Sequence, residues 1–435
     1  MSITAHLRRR GCITFLAIGI TSILLIAGLY AAVTTWPSVG AKGADILRGI
    51  IGDEAVSKLE MFVFQSQDSL HKLKYQWGLE KPAVPWQVAA QVTGNKNALP
   101  VITQTPAVKR TLTLNSNSPI SPTPPPGGQT SSPEPHTILS TTPSPEPVFT
   151  STPTVWIPSP ATPLGSVERE GIWSPYIQGV SGRTVAYRTF IQPDPERLYA
   201  IVAVVAFDLN HTRLNYVLGS IEPYSPDAPK RSGTITPADL APNLLLVTFN
   251  GGFKATHGHF GAMSDGITTL PPKDGLGTVA IYKDGTVRMG AWGTDIISST
   301  EMTAWRENGP LVVQDGKIDP KIYNNSPADW GYTVNDVSPT WRSGLGISAD
   351  SQTLYYFAGP SLSMPALANT MLAAGAYRGI QLDINSYWVH FVVIKPVGTK
   401  LIPEPLFPST MNENVDRYLH PYTRDFFYIT AVTEH

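Results

Sequence analysis

The chain of 435 residues has a single cysteine, Cys12, so no disulfide can form within it. Cysteine usage alone selects no compartment, because a cysteine-free domain suits an extracytoplasmic bacterial protein or a cytosolic one. Excess charge is missing too. Lys and Arg total 32 against 33 Asp and Glu, a net charge of -1, so the global basic field of a nucleic-acid binder is absent and no nucleic-acid partner is expected. No period of about 20–50 residues recurs, which excludes a solenoid or propeller. No Ser-His-Asp arrangement, Walker loop or Rossmann fingerprint in a strand-turn-helix context is present, and no cofactor is expected.

What is present is strongly segmented. Arg8, Arg9 and Arg10 precede a charge-free apolar run over residues 12–36. About 20 apolar residues span a bilayer as a helix, and Tyr30 and Trp36 suit its outer interface. The arginines place residues 1–11 in the cytoplasm and the rest outside, although Lys42 and Arg48 weaken the asymmetry. A cleaved signal peptide would carry a shorter apolar stretch and a small-x-small site, and no A-x-A follows here. Membrane lipid is therefore the expected partner of residues 12–36. Cys12 opens the run rather than following it, unlike a lipoprotein acylation cysteine. Over residues 43–80, Ile46, Ile50, Val56, Leu59, Phe62, Val63, Leu70 and Leu73 recur at roughly helical spacing, which predicts membrane-proximal amphipathic helix. Such a helix can lie on lipid, pair with another copy, pack on a partner or act as a solvated spacer.

Eighteen of the 40 prolines crowd into residues 81–164, interleaved with Ser and Thr, as in Thr141–Pro153. Such sequence buries no core and is predicted to be a disordered, extended linker. Residues 165–435 read as one globular domain of the α+β class, β-rich with mixed sheets. Ala200–Asp208 and Leu244–Phe249 are apolar strands, and Asp284-Gly285, Asp315-Gly316 and Asp350-Ser351 are hairpin turns. One helix is clear: Ser363 caps it, Pro365 lies in its first turn, and Gly375 stops it. A strand then delivers Asp383 at its end.

Three stretches carry candidate chemistry. Asn250-Gly251-Gly252-Phe253-Lys254 follows a strand, and its glycines can expose main-chain N–H groups as an anion nest. Next come His257 and His259; an H-x-H pair with Asp265 could hold a metal, but no second His/Cys cluster exists, and no metal is expected. Arg342, in Trp341–Ile347, begins a strand, where its planar fork can bind phosphate or carboxylate at two points. Asp383, followed by Ile384, Asn385 and Ser386, is a strand-end carboxylate suited to general-base work or to stabilising positive charge. Each has a plain structural reading as well: a tight turn and surface loop, an internal ion pair, and an Asx-turn. Glu307 is a reserve carboxylate, read as a solvated loop acid.

Together these stretches resemble the phosphodiester glycosidase family. Its pattern opens with N-A/G-G-F-F, continues through G-P-L-V-x-x-G-K and P-R-T-A-x-G-x, and closes with a helix ending in L-G-A and a strand ending in L-D-G-G-G-S. Asn250–Phe253, Gly309–Lys317, Arg342 with Gly346, Leu372–Ala376 and Leu382-Asp383 correspond in order, covering about residues 195–432. Lys254 replaces the second Phe, Thr340 and Trp341 separate the proline from Arg342, and Ile384 and Asn385 stand where the family has glycines. The resemblance implies an extracytoplasmic hydrolase acting on a sugar-1-phosphodiester or related cell-surface glycan, as in exopolysaccharide-associated bacterial relatives. Asp383, Asn250 and Arg342 would be catalytic. Gly251, Gly252, Phe253, Lys254, His257, Asn385 and Ser386 would bind substrate. The other class in view is a non-catalytic module of the same fold that binds glycan or wall polymer. The sequence does not set an oligomeric state.

Protease added to intact cells or spheroplasts is expected to release the C-terminal domain by cutting within residues 81–163. Full protection of that domain would place it in the cytoplasm.

Overall fold

The computed structural model describes residues 28, 35–86, 155–323, 330 and 338–432. Most of the apolar run over 12–36 and most of the 81–164 linker lie outside them. Among the described residues, no helix is long and apolar enough to cross a membrane. The described residues of 35–86 and 155–432 fall in one compact unit.

That unit opens with two helices, α1 (Pro37–Ile51) and α2 (Asp53–Gln76), joined at Gly52. The glycine takes φ 84°, which allows the chain to reverse with one residue between helices. Amphipathic sequence was expected over 43–80, and these helices pack on the chain's own β domain. Asp68 accepts from Arg197 Nε at 2.9 Å and from Tyr199 Oη at 2.6 Å.

The β domain has eighteen strands among the described residues. They are β1 (Ser174–Gln178), β2 (Thr184–Ile191), β3 (Val202–Asp208), β4 (Thr212–Val217), β5 (Leu245–Asn250), β6 (Ala262–Ser264), β7 (Ile267–Leu270), β8 (Gly277–Tyr282) and β9 (Val287–Ala291). After these come β10 (Met302–Glu307), β11 (Leu311–Gln314), β12 (Lys317–Ile318), β13 (Thr340–Ile347), β14 (Thr353–Leu362), β15 (Arg378–Ile384), β16 (Phe391–Val397), β17 (Lys400–Pro405) and β18 (Phe426–Ala431). They form three sheets, ordered β1-β2-β3-β14-β13-β15-β11-β12, β7-β6-β10-β8-β9 and β17-β16-β5-β18-β4. Every strand pair described is antiparallel, so the domain is β-rich with few helices, and the mixed sheets expected from sequence are not seen. The turn signals act as their residues dictate. Asp315 and Gly316 both adopt positive φ, whereas at 284–285 only the glycine does. Helix α3 (Met364–Ala373) is capped by Ser363, whose hydroxyl accepts from the Ala366 amide, and Gly375 follows it at φ 94°.

The main core lies where the sheets face one another, and Phe207, Phe249, Tyr356, Phe391 and Phe427 stack through its middle. Beside it runs a polar seam. Arg306 on β10 and Asp425, just before β18, are both fully buried, with Nε to Oδ2 at 2.8 Å. Arg306 also donates to the carbonyls of Phe253, Phe260 and Glu307, and Asp425 Oδ2 also accepts from Tyr216 Oη and the Gly252 amide. Removing one partner of such a pair leaves the other as an uncompensated buried charge.

Asp425→Ala is accordingly expected to cost about 3–5 kcal/mol in denaturant titration of the full chain. Glu301→Ala, at the exposed pair with Lys283, should cost less than about 1 kcal/mol. Equal costs would contradict this seam as a main determinant of stability.

Candidate functional site

Asp383 is the point at which the strand-end readings converge. Between the pairs Arg342↔Ile384 and Gly344↔Gln381, β15 holds one more residue than β13, a bulge. A bulge breaks the alternation of a strand and re-aims the side chain beside it. Gln381 therefore turns its Oε1 to Arg342 Nη1 at 2.7 Å, while Asp383, two residues on, meets a different cation. Its Oδ2 lies 2.5 Å from Arg424 Nη2, and its Oδ1 accepts from the Ile384 amide at 2.9 Å. Burial pushes this carboxyl up to about 6, with the Arg424 cation opposing the rise.

Arg424 comes from the segment that enters β18. Its guanidinium sits 4.3 Å from the centre of the Trp388 ring and also donates to the Gly252 carbonyl. Lys254 lies on the same ring at 5.4 Å. His257 completes this wall. It is buried and held neutral down to about 2, by desolvation first and then by the cations of Arg48, Arg424 and Lys254. The result is a carboxylate, two cations, a neutral imidazole and an indole face around one cavity.

The other wall is α1 and α2. Asp45 grips Lys254 Nζ through both oxygens, at 2.7 and 2.6 Å. Arg48 pairs with Glu60 at 2.5 Å, and burial, opposed mainly by Arg48, pushes that carboxyl up to about 7. Phe64 and Met61 pack on Phe253, Phe260 and Ile384. The cavity left between the walls is about 30 Å³, room for one or two waters and for no sugar.

The residues predicted from sequence divide accordingly. Asp383, Phe253, Lys254, His257 and Asn385 line the cavity. Asn385 takes φ 81°, a left-handed conformation that asparagine tolerates better than most residues and that glycine adopts freely. Asn250 does not reach the cavity. Its amide donates to Ser343 Oγ and accepts from Tyr356 Oη and the His390 amide, and Ser343 in turn bonds the Asp383 carbonyl. It lies behind Asp383, linked through Ser343 to that residue's backbone carbonyl.

Arg342 is also misplaced by the sequence reading. β13 and β15 do run antiparallel, but its side chain leaves by the other face, donating to the Leu362 and Ser338 carbonyls and to Gln381. The anion nest is spent as well. The amides of Gly251, Gly252 and Phe253 already donate to the Asp425 carbonyl, Asp425 Oδ2 and Asn308 Oδ1. Those glycines serve close packing, since a Cβ on Gly252 would sit 2.6 Å from Asn308 Oδ1. Ser386 opens on a neighbouring crevice beside Tyr387, His390 and Arg417.

His257 lies in a short 3-10 turn and His259 just beyond it, not on a strand, so the two imidazoles do not share a strand face. Glu307 is no solvated acid. It is fully buried, accepts from the Gly261 and Lys273 amides, and is pushed up to about 7 by desolvation. Sequence reasoning missed Arg424, Trp388, Asp45 and Glu60. The adjacent charges of Arg424-Asp425 at the start of an apolar strand were the one available signal for the first.

No family profile and no curated protein matches the chain. Among solved structures, the catalytic domain of zebrafish N-acetylglucosamine-1-phosphodiester alpha-N-acetylglucosaminidase, auto-inhibited by its pro-peptide, aligns at TM-score 0.37 and 16% identity, over 59% of this chain and 86% of that one. A hypothetical protein from Synechocystis aligns at TM-score 0.31 and 9% identity, over 60% of this chain and 64% of that one. Both are distant fold similarities and carry no argument about chemistry.

Proposed function

We propose that the chain is a hydrolase cleaving the glycosidic bond of a sugar-1-phosphodiester or a related cell-surface glycan. The observation that carries this reading is the Asp383–Arg424 pair, with Lys254 and the Trp388 ring beside it. The order of sequence motifs supports it independently. In the reaction, water adds to the anomeric carbon, the C1–O bond breaks, and the phosphate monoester leaves with that oxygen. Such a leaving group departs as an anion and needs little help from an acid. It needs cations about the phosphate and a carboxylate near the oxocarbenium-like centre. Arg424 and Lys254 would serve the first requirement and Asp383 the second, with Trp388 as a platform for the sugar ring. A location outside the cytoplasm follows from the arginines and apolar run at the N-terminus and is part of the proposal.

The second reading, a non-catalytic glycan-binding module, rests on Ile384 and Asn385 standing after Asp383 where the resembled pattern has glycines; under either reading α1 and α2 fill the space a sugar would need. Under the hydrolase reading they must move, and the charges of Asp45 and Lys254 hold them in place. Release of reducing sugar from a sugar 1-phosphodiester, measured with and without chelator, separates the two. Asp45→Lys should raise turnover by the full chain by setting two cations against each other. Asp383→Asn in that background should lower it about 100-fold or more with the fold retained. Retained turnover in Asp383→Asn would show that this carboxylate is not catalytic. Binding of the glycan without hydrolysis by any variant would favour the module.

A further inference from the structure

The helices that close the cavity have a second face, and nothing described covers it. On α2, Leu59, Phe62, Leu70, Leu73 and the following Trp77 are all exposed, and at 3.6 residues per turn they fall within an arc of about 80°. Val39, Ile46 and Ile50 form a matching stripe on α1. The exposure is large for such residues: 67% for Phe62, 72% for Ile50 and 71% for Trp77. Scattered apolar residues need no explanation, but an exposed apolar stripe on each of two adjoining helices does.

Charge is sorted between the two faces. Asp45, Glu60 and Asp68 are turned inward, onto Lys254, Arg48 and Arg197. Lys42, Lys72 and Lys74 form no ion pair among the described residues, and Lys42, Lys58 and Lys74 border the apolar stripes. The chain that precedes α1 matters equally. Residues 12–36 are free of charge, and Trp36 is the residue that caps α1, so the band begins where the apolar run stops.

We propose that this outer face is a membrane-docking surface, seated in the headgroup region of an anionic phospholipid bilayer. Leu, Phe, Ile and Trp would enter the acyl boundary, and the lysines would reach the phosphates from the edges, as in interfacial amphipathic helices. A second copy of the chain is the weaker occupant, because a self-complementary seam would place lysine beside lysine. The proposal concerns the outer face alone and does not depend on the hydrolase reading. It brings the domain down onto the bilayer through the contacts of Asp45 and Asp68, whatever the length of chain over 87–154.

The test uses the full chain with Cys12→Ser, reconstituted in vesicles of phosphatidylcholine and phosphatidylglycerol. A single environment-sensitive fluorophore is placed at Phe62→Cys, at Ile50→Cys or, as a control on the β domain, at Ile297→Cys. Ile297 is 60% exposed. At 62 and 50, emission should shift to the blue, nitroxide lipids labelled near the headgroup should quench it, and aqueous iodide should not. At 297 the pattern should reverse. Iodide quenching at 62 and 50 equal to that at 297 would overturn the proposal. So would protection from both quenchers, because that face would then be covered by protein.

Discussion

The buried pairing of Arg306 with Asp425 is the constraint on which the rest of the site depends. Arg306 reaches three carbonyls across the chain segments that leave β5 and β10, and Asp425 takes the Gly252 amide. Those segments therefore cannot drift, and Gly251 and Gly252 must be glycine to fit beside the pair. Asp425 also fixes its neighbour. Successive residues at the start of a strand point to opposite sides, so while Asp425 goes into the seam, Arg424 is delivered to Asp383 and Trp388. One dipeptide thus joins a stability determinant to a candidate catalytic centre, and damage to the first will be felt at the second.

Much of the layout was legible in the sequence because local rules and tertiary packing agree there. Asp-Gly turns, the Ser363 cap and the apolar runs of β3 and β5 specify their elements with little help from elsewhere. Asp383 was legible for the same reason, as a carboxylate placed by a strand. Arg342 was not, because the direction of a side chain near a bulge depends on one extra residue in the partner strand, which no periodicity records. Asn250 was found but misread, since a buried amide that satisfies four partners looks the same in sequence as one that faces substrate. The use of Gly251 and Gly252 turned on Asp425, more than 170 positions away. The 43–80 segment announced an amphipathic helix, but amphipathicity gives a face and not its partner. Here the polar face packs on the β domain while the apolar face stays exposed, which a single apolar stripe does not reveal.

The helices α1 and α2 link the two ideas proposed for this protein. Their inner face is held by charges, at Asp45 and Asp68, by apolar contacts at Met61 and Phe64, and by His71 and Tyr75 on the Tyr199 ring. Ionic contacts of partly exposed groups weaken with salt and with competing ions. A phosphodiester bringing its own negative charge to Lys254 would compete with Asp45 directly. The outer face, as proposed, would be seated mainly by apolar insertion, with a salt-dependent share from its lysines. Opening of the cavity and attachment to a surface would then draw on different balances of force in the same element.

The central claim is that Asp383 is a desolvated carboxylate tuned by Arg424, and its own titration tests this most directly. In the full chain, carboxyl 13C NMR with Asp383→Asn for assignment should give a midpoint of about 6, against an ordinary value of 3.8. Replacing the opposing cation, as in Arg424→Met, should move the midpoint higher still. The sign for stability follows. The folded protein keeps a proton that the unfolded chain releases at 3.8, so the contribution of Asp383 is full below that pH and is lost as pH rises through about 6. A midpoint at the ordinary value, indifferent to Arg424, would contradict the account.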